Sequence, residues 1–166
     1  FATFVTTFVA AIRHTAPAAL PDWIDLDRRP NLPSPEYLAG ELAGALSLSE
    51  RLIVALEDYH FITDLAVHRL IAQLLRQMPP NLHLVILTRH DPPLGLARLR
   101  AHGDVLDLRA HDMAFSCDEA ALLLDSILGE SLDPEIVQVL WEQTEGWLVG
   151  LRLAAGRIPS APMPPG

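Results

Sequence analysis

Two short polar segments follow apolar runs, and their side chains are of kinds that act on phosphates or on water. The first, Glu57-Asp58-Tyr59-His60, comes directly after the apolar run 52–56. Two adjacent carboxylates at the end of a buried segment are costly to place unless they have a partner. They can face a divalent cation or activate a water molecule, or they can be turn residues that cap the following loop. The residue types alone leave both interpretations open.

The second polar segment, residues 88–91, follows the apolar run 82–87. Its Arg89 can reach an anion bound at the end of a sheet, because a guanidinium offers several donors to a phosphate or carboxylate. Arg89 can equally form an ion pair with Asp91 or with Asp58. From the residues alone, both interpretations of Arg89 stay open.

The seven histidines suggest a metal site, but their spacing gives that interpretation little support. No two of them stand at i and i+4, and none lies at zinc-ligand spacing from the single cysteine, Cys117. The dipeptides at 90–91 and 111–112 are His-Asp pairs like those of metal-dependent phosphohydrolases, but both fall in predicted loops after strands and not on facing helices, which disfavours that class. His68 and His83 are predicted to pack in the core.

Composition excludes several function classes. The chain has 166 residues, and its net charge of −9 disfavours nucleic acid or an anionic membrane as a direct partner. All 12 basic residues are arginine, which excludes a lysine-containing phosphate loop or a Schiff base within this chain. One cysteine permits no intrachain disulfide and favours a reducing compartment, the cytoplasm. The apolar stretch 1–12 is too short to cross a bilayer, which takes about 20 residues.

Apolar periodicity and capping signals predict the elements that position the polar segments. Ser34 with Pro35, and Asp64, are typical of helix starts. The two apolar runs before the polar segments predict strands buried on both faces. The predicted helices of this part cover 1–12, 35–48, 65–78 and 94–102, and the predicted strands cover 52–56, 82–87 and a weaker 105–108.

From Ser116 onward the pattern is helical only. Ser116 and Glu119 form the spacing of a capping box, and Trp141 and Trp147 are predicted to lie in the core of this helical part. The fold class is therefore α/β, a partial parallel sheet of about three strands with flanking helices, followed by a small all-helical subdomain. The predicted boundaries are 1–112, 113–158 and a proline-rich tail at 159–166. In a parallel sheet Glu57, Asp58 and Arg89 would meet at one edge.

Several of these segments, taken in order, resemble one known family. They are LIVALEDYHFI at 52–62, Val67-His68, LHLVILTRHDPPLGLARLR at 82–100, LDLRAHDMAFSCDE at 106–119 and TEGWLVGL at 144–151. Together they resemble the nucleotide-binding region of the large LuxR-type, MalT-like transcriptional regulators. These are STAND-class ATPases with a helix-turn-helix at the far C-terminus. The resemblance covers roughly residues 1–157.

The resemblance implies a P-loop-type sheet and a helical lid, with roles for particular residues. Glu57 and Asp58 occupy the Walker B positions, where Glu57 would serve the magnesium shell and Asp58 would orient water. Glu57 departs by one methylene from the aspartate usual in the family. Arg89 matches the sensor that reads the terminal phosphate. Gly146-Trp147 matches the lid motif near the nucleotide base, without the proline found there in relatives.

The resemblance also implies what this chain lacks. ATP and magnesium would be cofactors of a full-length parent, whose phosphate loop and strand are expected upstream of Phe1, whereas this chain alone is expected to bind neither. The expected partners are the remaining domains of that parent. The missing strand would lie between 82–88 and 105–108, so either 105–108 closes the gap or a second copy pairs with the exposed edge. The alternative function is a stand-alone, non-catalytic interaction domain with a degenerate P-loop fold.

Overall fold

The computed structural model describes residues 1–20, 24 and 32–158, which fall into two compact units, Phe1–Val105 and Leu106–Gly166. The first unit contains α1 (Ala2–Thr15), α2 (Pro35–Leu46), β1 (Leu52–Leu56), α3 (Leu65–Arg76), β2 (Leu82–Ile86) and α4 (Ala97–His102). The second contains α5 (Ala110–Met113), α6 (Cys117–Leu128), α7 (Pro134–Thr144) and α8 (Leu148–Ala155). The predicted tail 159–166 and residues 21–23 and 25–31 lie outside the described residues.

The helices begin where the capping residues predict. The Ser34 hydroxyl accepts a hydrogen bond from the Tyr37 amide at 3.2 Å, and the Asp64 carboxylate accepts one from the Ala66 amide at 2.8 Å. Each bond satisfies an amide that has no partner within its own helix. These local starts are confirmed, and they set the directions in which α2 and α3 leave the loops.

The two strands lie side by side and parallel, as predicted. Their register runs from Leu52 opposite Leu82 to Leu56 opposite Ile86, and α3 forms the crossover between them. Because parallel strands end at the same edge, this register places the segments after residues 56 and 86 together. The α/β class with a parallel sheet is therefore confirmed.

The core of the first unit lies between one face of this sheet and the helices α1, α2 and α3. Leu52 and Leu82 are buried against it, and Leu84 and Ile86 pack on a neighbouring cluster that includes Ile71. Burying a leucine or isoleucine side chain contributes roughly 1.5–3 kcal/mol, so these contacts hold the strands onto the helices. His68 is buried on the inner side of α3, which confirms its predicted place in the core.

The prediction that both sheet faces are buried is wrong. Every second residue faces away from the helices, and the side chains of Ile53 and Val85 are 62% and 45% exposed. His83, which shares that face, is also exposed rather than packed in the core. The described helices cover one face only, whereas a continuous apolar run indicates a strand with cover on both.

The third strand predicted at 105–108 is also absent from the described residues. This segment has no regular structure, its Leu106 and Leu108 are 82% and 63% exposed, and the short helix α5 follows it. It therefore does not pair with β2, and the expected closure of the gap is wrong. Among the described residues the segment has no neighbouring strand, and without one it cannot form the ladder hydrogen bonds that make a strand. The boundary between the two compact units also falls inside it, between Val105 and Leu106.

The second unit is a small cluster of helices around Leu124 and Leu151, both fully buried. The capping box at its start is confirmed, because the Glu119 carboxylate accepts from the Ser116 amide at 2.9 Å and the Ser116 hydroxyl accepts from the Glu119 amide at 3.3 Å. The Ser116 amide and hydroxyl both donate to the Glu119 carboxylate, and these hydrogen bonds hold the pKa of that carboxyl below its usual value. Among the described residues, no helix is both long and apolar enough to span a membrane.

Candidate functional site

The pairing of the two strands continues beyond their assigned ends. The Leu87 amide donates to the Leu56 carbonyl at 2.9 Å, and the Tyr59 amide donates to the Leu87 carbonyl at 3.0 Å. Between these two bonds the chain carries Glu57 and Asp58 away from the sheet. The carboxylates are thus held on a backbone that is hydrogen-bonded on both sides.

Asp58 adopts a left-handed backbone conformation, with φ 51° and ψ 35°. Aspartate tolerates this region better than most residues, but it still costs free energy, and such outliers concentrate at functional sites. Its carboxylate makes no capping hydrogen bond to the 3₁₀ turn Tyr59–Phe61 that follows, and the side chain is 74% exposed. Within the described residues, Asp58 therefore does not act as the loop cap that the alternative interpretation supposes.

Tyr59 anchors this turn. Its side chain is 1% exposed, and its hydroxyl lies 3.0 Å from Nδ1 of His68 on α3. Burial raises the pKa of the Tyr59 phenol to about 12. Because the residue after Asp58 is locked into the core, the left-handed conformation of Asp58 is stabilised by packing and does not depend on local preference.

At the end of β2, the Thr88 hydroxyl donates to the His90 carbonyl at 2.9 Å and so forms a tight turn around Arg89. Arg89 is exposed and forms no ion pair with any residue that the structure describes. Asp91 instead lies 2.9 Å from the guanidinium of Arg100 on α4. Arg89 therefore pairs with neither Asp91 nor Asp58 among the described residues, and the Arg89 guanidinium is available to an anion.

The turns after β1 and β2 meet through their histidines. The ring centroids of His60 and His90 are 6.1 Å apart, at an angle of 70°. The structure therefore brings the Glu57–Asp58 segment and the Arg89 segment to one edge of the sheet. This edge has two exposed carboxylates and an exposed arginine, a set that can hold a cation-bound phosphate and orient water.

A magnesium ion held with a nucleotide fits this set in one respect. Within the described part of the chain, no cluster of three or more His, Cys, Asp or Glu side chains could hold a metal by itself. Magnesium in phosphate-transfer sites is usually held by one or two carboxylates together with phosphate and water oxygens, so such a cluster is not required. In such an arrangement Arg89 would balance part of the phosphate charge, since the chain contains no lysine.

Gly146 and Trp147, the predicted lid residues, lie in the second unit. Gly146 has φ +71°, and its carbonyl accepts from the Phe115 amide at 2.9 Å. A Cβ on Gly146 would lie 2.3 Å from the Phe115 carbonyl oxygen, to which the Trp141 indole donates at 2.7 Å. Gly146 therefore has a structural reason to be glycine, apart from any contact with a nucleotide.

The two tryptophans differ in their surroundings. Trp141 packs against the helical core as predicted, whereas Trp147 is 44% exposed, so the prediction that Trp147 is a core residue is wrong. Trp147 is the N-cap of α8, and the turn at Gly146 directs it outward. An exposed indole is the kind of side chain on which a nucleotide base can stack.

Sequence reasoning missed two residues of the first unit's site. Tyr59 was not recognised as the anchor of the turn, nor His60 as a buried neighbour of Asp58. An aromatic residue directly after two carboxylates at a strand end was the available signal. Its importance depends on His68, which approaches from a different element.

No protein-family model matches the chain. Curated relatives do: it is 38% identical over 104 residues to the HTH-type transcriptional regulator MalT of Yersinia enterocolitica. It is 35% identical to the protein of that name from Serratia proteamaculans and 36% identical to that from Yersinia pestis, again over 104 residues. Each match covers 63% of this chain and 12% of the relative, so the chain corresponds to a small part of the relatives' length. The resemblance to the MalT-like regulators is therefore confirmed.

Proposed function

We propose, for a chain that is MalT-like over 104 residues, that it is part of the nucleotide-binding region of an ATP-dependent, STAND-class transcriptional regulator. In this proposal Asp58 orients the attacking water, Glu57 serves the magnesium shell and Arg89 contacts the terminal phosphate. Gly146 and Trp147 belong to the lid beside the nucleotide base. The protein would act in the cytoplasm.

One observation carries the proposal for the first unit. The parallel register ends both strands at one edge, so that Glu57, Asp58 and Arg89 are exposed there together. The strained backbone of Asp58 is of a kind that concentrates at functional sites, and the exposed Arg89 guanidinium has no described ion pair that a ligand would have to displace. A phosphate bound together with a cation would match this edge, because the carboxylates attract the cation and the arginine attracts the phosphate.

Magnesium bound with the nucleotide would supply charge neutralisation of the phosphates. Glu57 would contact it from a side chain one methylene longer than the usual aspartate, either directly or through a water molecule. Asp58 has an exposed carboxylate that can accept a proton from water. Arg89 can donate to phosphate oxygens through its guanidinium fork.

The chain by itself is expected to be neither an ATPase nor a DNA-binding protein. It contains no lysine, so a phosphate-loop lysine would have to come from another part of the longer protein. Its net charge of −9 also opposes binding of a polyanion such as ATP or DNA. Calorimetry of the 166-residue chain with Mg-ATP should show no micromolar binding, and a micromolar Kd would contradict this expectation.

The catalytic assignment is tested in the longer regulator that carries this segment. Asp58→Asn should lower ATP hydrolysis by roughly 10²–10⁴-fold and spare ATP binding, because an amide cannot accept the proton. Asp104→Asn is the matched control, an exposed aspartate of the same unit away from the strand ends. Hydrolysis at the wild-type rate in Asp58→Asn would show that the role is misassigned, and a loss in Glu57→Gln instead would indicate the neighbouring carboxylate.

Arg89 is tested by nucleotide discrimination. Arg89→Ala should reduce the preference for ATP over ADP, since its proposed target is the terminal phosphate. Arg98→Ala on α4 removes an exposed arginine of the same unit and should leave the preference unchanged. If the ratio of ATP affinity to ADP affinity is the same in wild type and in Arg89→Ala, the assignment is contradicted.

The second candidate is a non-catalytic interaction domain, favoured by the uncovered sheet face. Ile53 and Val85 are exposed on that face, and β2 pairs only with β1 among the described strands. An apolar strand with an open edge is a template for another strand, and a second copy is one such partner. Sedimentation over a concentration series tests self-association: Val85→Lys should abolish a dimer, and Leu48→Lys, which is 89% exposed outside the sheet, should not.

A further inference from the structure

His60 is an ionisable side chain that the proposed roles do not use. Its side chain is 9% exposed, and both ring nitrogens are buried without a hydrogen-bond partner among the described residues. One face of the imidazole lies against Phe61, at a centroid distance of 4.2 Å, and its edge meets the ring of His90. The ring is thus held in place by aromatic packing and not by polar contacts.

A buried imidazole without a partner is unusual. A neutral histidine always carries one N–H donor and one acceptor nitrogen, and leaving both buried and unpaired costs free energy. His68, the other buried histidine of this unit, has its Nδ1 within hydrogen-bond distance of the Tyr59 hydroxyl. The contrast indicates that His60 gains its partner when the site adopts its working arrangement.

Asp58 is the polar group closest to meeting that need. Its Oδ1 lies 4.0 Å from Nδ1 of His60, about 1 Å beyond a hydrogen bond. The left-handed backbone of Asp58 is held by Tyr59, so the carboxylate can close this distance by rotating about its own side-chain bonds. Catalytic hydrogen bonds are often long without substrate and shorten when the reacting complex forms.

We propose that His60 is a positioning residue whose Nδ1–H donates a hydrogen bond to the Asp58 carboxylate. The bond fixes one carboxylate oxygen and leaves the other aimed at the water that Asp58 orients. This inference rests on the proposed function of Asp58. His60 itself does not touch the nucleotide, because its ring nitrogens are buried.

The first test uses the 166-residue chain and needs no nucleotide. Nitrogen NMR of ¹⁵N-histidine reports which ring nitrogen carries the proton. Even at 4.0 Å, the negative charge of the Asp58 carboxylate favours the Nδ1–H tautomer of His60, so Asp58→Asn should shift the population toward Nε2–H without any nucleotide. Asp104→Asn should leave it unchanged. The same tautomer population for His60 in wild type and Asp58→Asn would overturn the proposal.

The second test measures ATP hydrolysis in the longer regulator. His60→Phe keeps the aromatic packing and removes the donor, so kcat should fall roughly 10–100-fold, as for other groups that orient a reactive side chain, with KM for ATP unchanged. His60→Asn places an amide N–H near the Nδ1 position and should recover most of the rate. Equal rates in wild type and His60→Phe, or no recovery in His60→Asn, would overturn the proposal.

The two tests separate failure of this inference from failure of the proposed function. If the wild-type regulator neither binds nor hydrolyses ATP, the proposed function fails, and with it the role of His60 in positioning a catalytic carboxylate. The tautomer shift would then show only that His60 and Asp58 are hydrogen-bonded. If ATP is hydrolysed and Asp58→Asn is inactive, but His60→Phe is fully active, only the inference about His60 fails.

Discussion

Replacing Gly146 with alanine should destabilise the helical unit more than the same substitution does at an ordinary glycine with a left-handed backbone. Gly146 has φ +71°, a region that costs an alanine roughly 1–2 kcal/mol. The new Cβ would also lie 2.3 Å from the Phe115 carbonyl oxygen, a backbone atom that cannot rotate away. Relief of this contact requires the 114–116 backbone to move relative to the turn after α7.

That movement breaks two hydrogen bonds. The Phe115 amide donates to the Gly146 carbonyl at 2.9 Å, and the Trp141 indole donates to the Phe115 carbonyl at 2.7 Å. Each is worth about 1 kcal/mol, so with the backbone cost Gly146→Ala should lower the free energy of unfolding by roughly 3–4 kcal/mol. This is a large fraction of the stability of a small unit.

Gly129→Ala is the matched control. Gly129 also ends a helix at positive φ, +75°, but no atom lies within 4 Å of the position of its Cβ. It should therefore cost only the backbone preference, roughly 1–2 kcal/mol. Urea unfolding of both variants, with hydrogen exchange assigned to α6 and α7, measures the difference. Equal losses in the two variants would refute the argument that Gly146 closes a backbone contact.

Three further predictions follow from burial, capping and exposure. Because burial raises the Tyr59 pKa to about 12, the stability it contributes is present below the ordinary tyrosine value of 10.0 and is lost as the pH rises toward 12. In a Tyr37→Phe variant Tyr59 is the sole tyrosine, and tyrosinate absorbance appearing near pH 10 would contradict this. Ser116→Ala should lower the stability of α6 by about 1 kcal/mol in urea unfolding. Since the Glu119 pKa is lowered, the stability that its carboxylate contributes is present at neutral pH and is lost as the pH falls through that lowered pKa. A Ser116→Ala effect that stays the same at acid pH would contradict this. Ile53→Thr should change the free energy of unfolding by no more than about 0.5 kcal/mol, because the side chain is exposed, whereas a loss above about 2 kcal/mol would show that this face is covered in solution.

Features that depend on a few neighbouring residues were predictable from the sequence. The caps at Ser34, Asp64 and Ser116 need only a polar side chain and the amides two or three residues on, and all three form as expected. The parallel pairing of β1 and β2 followed from the strand–helix–strand order, because a crossover helix permits little else. The meeting of Glu57, Asp58 and Arg89 at one edge followed from that topology.

Features that depend on which other elements pack against a residue or strand were not predictable from the sequence. The run of apolar residues in β1 indicates cover on both faces, yet Ile53 is exposed because the described helices lie on one side only. The weak strand at 105–108 needed a partner that the described residues do not provide. Trp147 looks like a core residue by type, but the turn at Gly146 directs it outward. In each case the outcome depends on a neighbouring element that the residue type alone does not reveal.

The two non-glycine residues with positive φ among those described are Asp58 and Glu145. Asp58 separates Glu57 from the buried anchor Tyr59, and Glu145 directly precedes Gly146. The conformation of Asp58 is held by the burial of Tyr59, whereas Glu145 is the C-cap of α7, a place where helices commonly end in this conformation. Strain of this kind persists where the surrounding structure over-determines it, which is how a site can be held in one geometry before any ligand arrives. In the first unit, the non-glycine residue with this strained backbone is Asp58 itself, one of the two carboxylates whose residue type suggests a role with water or a cation. This supports the proposed role of Asp58, because a purely structural turn at that place could use glycine at lower cost.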